Sequence, residues 1–247
     1  MNPFPLLLCV LLAVPAAHAA DRVATARKAR AKQVAALFQD AGVTWPPERL
    51  YLRAFKHERE LEVWAGSRTG ALVKVKMYPF CAASGELGPK RRQGDLQVPE
   101  GFYTIDLFNP VSSYHLSMRV NYPNAADRFH QVKGVPLGGD IYVHGDCVSI
   151  GCIAIKNGPI EELYLMTLDT RAKTKRDVPI HIFPRRLDAA GLAALTKSLP
   201  KTSPLVDFWR SLQPAYTQFE ETRRVPVTSV DAKTGRYAVK PVPTAQR

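Results

Sequence analysis

The residues best equipped for chemistry lie between Ile141 and Ile155, in the run Ile-Tyr-Val-His-Gly-Asp-Cys-Val-Ser-Ile-Gly-Cys-Ile-Ala-Ile. A strand pattern ends in His144, a short glycine-bearing loop follows, and Cys152 comes directly after Gly151. A free thiol is mostly protonated near neutrality, so a nucleophilic cysteine needs a base beside it. It also needs backbone N–H groups to receive an oxyanion, and a preceding glycine lets the chain approach a substrate closely. His144 and Cys152 meet the first need if the loop folds back on itself. Outside such a context a lone cysteine is most often a small core hydrophobe. His130, in Asp127-Arg128-Phe129-His130, is a rival base in a loop-like setting with no glycine after it. His57, His115 and His181 carry no motif and read as structural or exposed. A metal set of His144, Asp146, Cys147 and Cys152 lacks a spaced second half, so no metal is expected.

The elements around this run must position it. From Arg49 the hydrophobic period is two, with Leu50, Leu52 and Ala54, then Leu61, Val63 and Ala65, then Leu72, Val73, Val75 and Met77. This predicts a meander of three short strands. A loop over 82–101 contains Lys90-Arg91-Arg92, and strand patterns return at Phe102–Phe108, Tyr114–Val120, Ile141–His144 and Val178–Phe183. Asn157-Gly158-Pro159 opens a helix whose face is Ile160, Leu163, Tyr164, Thr167 and Leu168, with proline near the start. Residues 188–222 are helical in pattern but cut into pieces by Pro200, Pro204 and Pro214, and Val225–Val230 with Arg236–Lys240 suggests a closing hairpin. At the other end, residues 21–40 form a basic helix with a narrow apolar stripe, so loose docking is expected.

Composition bounds the rest. With 46% hydrophobic and 23% charged residues the chain has enough apolar material for a packed core, which excludes disorder as its main state. Four cysteines in 247 residues are too few for a disulfide-scaffolded mini-protein. No apolar run reaches the ~20 residues that span a bilayer. Residues 4–17 are apolar and uncharged, and Ala17-His18-Ala19 follows. This is the apolar core and small-residue cut site of a secretory signal peptide, with cleavage expected between Ala19 and Ala20 and no transmembrane segment left behind. Cys9 follows the bulky Leu8 and does not read as a lipoprotein cysteine. The net charge of +12 would suggest nucleic acid in a cytosolic protein. In an exported one it faces anionic lipid head groups or wall carboxylates, and no nucleic acid is expected.

Val143-His144-Gly145 together with Ser149-Ile150-Gly151-Cys152-Ile153 resembles the signature of the L,D-transpeptidase (YkuD-type) catalytic domain, a family of bacterial cysteine enzymes of peptidoglycan. The likeness extends upstream to Ser84-Gly85, Gly94-Asp95 and Pro99-Glu100-Gly101-Phe102-Tyr103, and includes Asn121-Tyr122-Pro123-Asn124. The compact His-Gly-Asp-Cys-Val-Ser-Ile-Gly-Cys run, together with the C-terminal Asp207-Phe208-Trp209 segment, is similar to the periplasmic subgroup that includes an enzyme detaching the major outer-membrane lipoprotein from peptidoglycan. The resemblance implies a mostly-β fold, the L,D-transpeptidase-type β-sandwich, with helices at both ends and a helical C-terminal extension. It implies a periplasmic protein whose partners are peptidoglycan stem peptides and peptidoglycan-bound lipoprotein, and which needs no cofactor. Cys152 would attack the L-centre carbonyl of diaminopimelate to form a thioester, with His144 as base. The N–H groups of Gly151 and Cys152 would receive the oxyanion, and Ser149 would orient the loop. Gly145, Lys90, Arg91, Arg92 and Tyr122 would border the substrate; the basic triplet is otherwise a solvated loop.

Three departures matter. Ile150 stands where the broad family usually has histidine, Ala154 where it has Arg or Asn, and the His-to-Cys loop is short. The base must therefore be His144, and the substrate carboxylate must be held by something other than residue 154. Loss of Cys9 with the signal leaves Cys81, Cys147 and Cys152 in an oxidising compartment. A Cys81–Cys147 disulfide is expected if Cys152 stays free; two free thiols or a Cys147–Cys152 bond are the alternatives. The division expected is a signal peptide over 1–19, a basic helix and linker over 20–48, the catalytic domain over 49–185 and the extension over 186–247. The subgroup likeness and the short loop favour hydrolysis over transpeptidation. A non-catalytic wall-binding protein is the alternative of another class, but a pure binder needs neither Cys152 nor His144.

Overall fold

The computed structural model of the chain describes residues 15–241. Most of the expected signal segment thus lies outside the described residues. In chain order the elements are α1 (Pro15–Asp40), β1 (Arg49–Phe55), β2 (Glu60–Gly66), β3 (Val73–Pro79), β4 (Gly101–Asn109), β5 (Ser117–Val120), α2 (Ala125–Phe129), β6 (Tyr142–His144), β7 (Ile153–Ala154), α3 (Asn157–Thr174), β8 (Val178–Phe183), α4 (Ala189–Thr196), α5 (Pro204–Thr222), β9 (Val227–Val230) and β10 (Tyr237–Lys240). The architecture is the mostly-β one, a curled eight-stranded sheet with helices at both ends. The sheet order is β3-β2-β1-β8-β4-β5-β6-β7. Pairing is parallel between β1 and β8 and between β6 and β7, and antiparallel elsewhere.

The curl brings the two ends of that order together. Ala82, just past β3, forms a bridge with Ala154 of β7, and the Cys81 amide donates to the Ala154 carbonyl at 2.8 Å. Cys81 is also joined to Cys147 as a disulfide, with the Cα atoms 5.2 Å apart. The His-to-Cys loop is therefore tied to the far end of the sheet by a covalent bond, and β7 after it by a hydrogen bond.

Strand β1 is buried on both faces, unlike a half-exposed meander strand. Leu52 and Ala54 enter a core shared with Val34 and Phe38 of α1 and Ile160, Leu163 and Met166 of α3. Phe55 faces the other way, into a second core with Phe102, Phe183, Phe208, Trp209, Leu212 and Tyr216. The C-terminal extension supplies that second layer. Pro214, expected to cut the helix, lies inside α5. Burial of Leu212, Ala215, Tyr216 and Phe219 on one face outweighs the missing amide and the ring clash.

The N-terminal helix also differs from expectation. α1 is docked along α3, with Ala26, Val34 and Phe38 fully buried. Charged contacts widen its narrow stripe: Arg27 pairs bidentately with Asp169 at 2.6 and 2.7 Å, and Arg30 with Glu161 at 2.8 Å. The short helix α2 had no strong hydrophobic period to announce it. It is started by a capping box, in which the Asn124 side chain accepts from the Ala126 and Asp127 amides while Asp127 accepts from the Asn124 amide.

Candidate active site

Strand register sets the position of the candidate pair. In the parallel β6–β7 ladder Val143 lies opposite Ile153 and His144 opposite Ala154. Val143 and Ile153 enter the core, and since side chains alternate along a strand, His144 and Ala154 take the other face, with Cys152 directly before β7. The Tyr142 amide donates to the Cys152 sulfur at 3.4 Å, which fixes the sulfur at the strand edge.

Burial shifts both partners toward their uncharged forms. Burial lowers the His144 pKa, opposed by its hydrogen bond to the Gly145 carbonyl and by Asp146. That hydrogen bond uses Nδ1, which leaves Nε2 as the basic nitrogen. The Tyr114 ring lies against the imidazole with centroids 4.8 Å apart. Burial pushes the Cys152 thiol up; the Tyr142 amide pulls it down, the Asp140 carboxylate pushes it up and Lys90 pulls it down. The thiol itself donates to the Asp140 carbonyl at 3.6 Å. Asp140 holds a φ of +57°.

Ser149 organises the turn before Cys152. Its hydroxyl donates to the Cys152 carbonyl at 2.8 Å and accepts from the Gly151 and Cys152 amides at 3.2 and 3.1 Å. With its own hydrogen so used, Ser149 must accept in its 3.1 Å contact with Ser84. The two amides expected to form the oxyanion site are thus turned toward Ser149 at rest. One oxygen with two lone pairs faces three donors, so at least one of them is incompletely bonded. Gly151 has a φ of +128°, a conformation open in practice to glycine alone. A Cβ on Gly145 would lie 2.5 Å from the Asn157 side-chain oxygen and 2.9 Å from the Tyr114 carbonyl. Gly145 is therefore a packing residue that lets the loop pass close to α3.

The basic triplet does not present three free cations. Lys90 is buried, and its ammonium bonds to Asp95 at 2.6 Å and to the Arg92 carbonyl at 2.8 Å. Arg91 reaches Asp127 at 3.2 Å and lies over the Phe208 ring. Only Arg92 is exposed. Tyr122 is likewise internal, its hydroxyl directed at the Lys90 and Leu137 carbonyls at 3.4 and 3.3 Å. The polar atoms of Lys90 and Tyr122 are thus committed inside the protein, while Tyr122 still lines an open groove beside Arg119 and Asp140. His130 sits on the C-terminal cap of α2, in a segment that does not contribute to the β6–β7 ladder. Ile150 is 75% exposed, so the place that carries a histidine in the broad family points to solvent here. Tyr114, Asp140 and Ser84 had no motif of their own. They join the site through strand pairing and loop closure.

The family model for the YkuD L,D-transpeptidase catalytic domain matches residues 51–182. A protein of Escherichia coli strain K12, named "Putative L,D-transpeptidase YafK", is 38% identical over 193 residues, covering 77% of this chain and 73% of its own. The chain belongs to the YkuD L,D-transpeptidase catalytic-domain family, and with it to the enzymes that act on peptidoglycan in the cell envelope. Among solved structures, the helical cell shape determining protein Pgp2 from Campylobacter jejuni is similar at a TM-score of 0.45 and 23% identity, over 70% of this chain and 58% of that one. L,D-transpeptidase 1 of Mycobacterium tuberculosis is similar at a TM-score of 0.31 and 18% identity, over 54% of this chain and 61% of its own. The chain spans about three-fifths of the length of each of these two.

Proposed function

We propose that this protein opens an amide at the L-centre carbonyl of diaminopimelate through a thioester on Cys152, and that water then takes the acyl group, releasing lipoprotein attached to peptidoglycan. The observation that carries the reading is that β6 brings the two together: His144 pairs with Ala154, two residues after Cys152, and the Tyr142 amide, two residues before His144, donates to the Cys152 sulfur, while burial lowers the imidazole pKa and its Nδ1 is already bonded. A neutral imidazole accepts a proton, and a buried thiol loses one readily only as it attacks. His144 Nε2 takes the thiol proton while sulfur bonds the carbonyl carbon. The tetrahedral intermediate collapses, the carbon–nitrogen bond breaks, and the imidazolium returns the proton to the leaving amine. In the second half His144 deprotonates water, water attacks the thioester carbonyl, and the thiol re-forms.

Gly151 and Cys152 would turn their amides from Ser149 to the developing oxyanion, where a charged acceptor outcompetes a hydroxyl. Ser149 and Ser84 act as positioning residues. The processed protein would begin near Ala20 and work in the periplasm, with 49–185 as its catalytic unit and 186–247 as a buttress. Among the described residues no helix is long and apolar enough to cross a membrane. The test is to incubate the purified protein with intact sacculi, with and without bound lipoprotein, and identify products by mass spectrometry. Free lipoprotein is the expected product. New diaminopimelate–diaminopimelate bonds would replace hydrolysis by transpeptidation, and absence of both products would overturn the enzyme reading in favour of a binder.

A further inference from the structure

An open groove of about 590 Å³ has a lining that includes Asp106, Arg119, Arg128 and Asp140. Asp140 links it to the sulfur, since its backbone carbonyl accepts the Cys152 thiol at 3.6 Å. The four charges are not equivalent. Arg119 is held by Asp106 in a bidentate pair at 2.9 and 3.0 Å, so these two neutralise each other. Arg128 and Asp140 are exposed, and among the described residues neither side chain takes part in an ion pair. The groove thus offers one unpartnered cation and one unpartnered anion, the anion belonging to the residue whose carbonyl meets the Cys152 thiol.

A ligand that satisfies both must be zwitterionic. Diaminopimelate has that character when its L-centre is the acyl group: a short methylene chain separates the reacting carbonyl from a D-centre bearing both an ammonium and a carboxylate. We infer that this groove is the subsite for the free D-centre of diaminopimelate, with Arg128 holding its carboxylate and Asp140 its ammonium. The inference rests on the proposed function and names the substrate recognition of that same site. It also answers the departure at position 154. Ala154 is fully buried and opposite His144 in the ladder, so the carboxylate must be held elsewhere. A guanidinium is suited to that task because it receives a carboxylate through two parallel hydrogen bonds.

The test compares binding of L-alanyl-γ-D-glutamyl-meso-diaminopimelate with that of the peptide carrying L-lysine in the last place, which keeps the ammonium and lacks the carboxylate. Calorimetry uses the full chain with Cys152→Ser, so that chemistry does not intervene. The diaminopimelate peptide should bind at least about tenfold more tightly than the lysine peptide, roughly the worth of one good charged contact. Arg128→Gln should remove that preference, weakening the diaminopimelate peptide about tenfold and the lysine peptide less than twofold. Asp140→Asn, in which asparagine tolerates the same backbone conformation, should weaken both peptides. Equal affinity for the two peptides, or Arg128→Gln leaving the preference intact, would overturn the inference. Because binding is read apart from turnover, failure to form a thioester would sink the proposed chemistry while leaving this preference to stand or fall by itself.

Discussion

Burial holds the Cys152 thiol and the His144 imidazole in their neutral forms, which sets how the site should respond to pH. A raised thiol pKa means less thiolate at neutral pH than in a free cysteine. Alkylation of Cys152 by iodoacetamide is therefore predicted to be slower than that of free cysteine at pH 7 and to keep rising with pH beyond the range in which free cysteine titrates. A fast rate, flat from pH 5 upward, would mean a standing thiolate–imidazolium pair and would contradict the account. Cys152 and His144 could be proposed as a pair from the sequence because the pattern is local: a strand end, a short loop and a glycine before the sulfur. Asp140 and Tyr114 were not, because what they touch is decided by β5–β6 and β6–β7 pairing. Lys90 was misread for a related reason. A charge in a loop reads as solvated until its partner, here Asp95 at 2.6 Å, is seen to fold back over it.

The C-terminal extension reaches the active-site loop through one buried carboxylate. Glu100 is fully buried, pairs with Lys56 at 2.9 Å, accepts the Gly88 amide at 2.7 Å and accepts the Trp209 indole N–H at 2.8 Å. It therefore joins the 82–101 loop, the turn after β1 and helix α5. Trp209→Phe keeps most of the apolar contact and leaves one carboxylate oxygen without its indole partner. The expected cost is about 1–3 kcal/mol of unfolding free energy, measured by urea denaturation, together with a lower kcat/KM as the loop loses its anchor. An unchanged midpoint and unchanged kcat/KM would remove the extension from the account of the site. Strand β8 and helix α3 could be read from periodicity. The unbroken run of α5 through Pro214 could not, because local chemistry argues against it and only burial across the aromatic layer supports it. Arg53 shows the same limit. It looks like an outward strand residue, yet it is fully buried over the Phe55 and Phe219 rings and paired with Glu220 at 2.7 Å.

Across the molecule, the closing of the sheet order makes the site a property of the whole fold. The Ala82–Ala154 bridge and the Cys81–Cys147 disulfide connect the edge after β3 to the loop between His144 and Cys152. Replacing both tethering cysteines, Cys81→Ser with Cys147→Ser, should cost about 2–5 kcal/mol and lower turnover as the loop loosens. Unchanged stability and turnover would show that the hydrogen-bonded closure is sufficient. The most direct test of the central claim is the mass of the protein itself. The full chain is mixed with diaminopimelate-containing muropeptides, quenched in acid within seconds and weighed intact. The account predicts an adduct equal to the acyl part of the stem peptide, mapped to Cys152, absent in Cys152→Ala and strongly reduced in His144→Ala. Sacculus turnover with no adduct on Cys152, or an adduct that forms equally fast in His144→Ala, would contradict it.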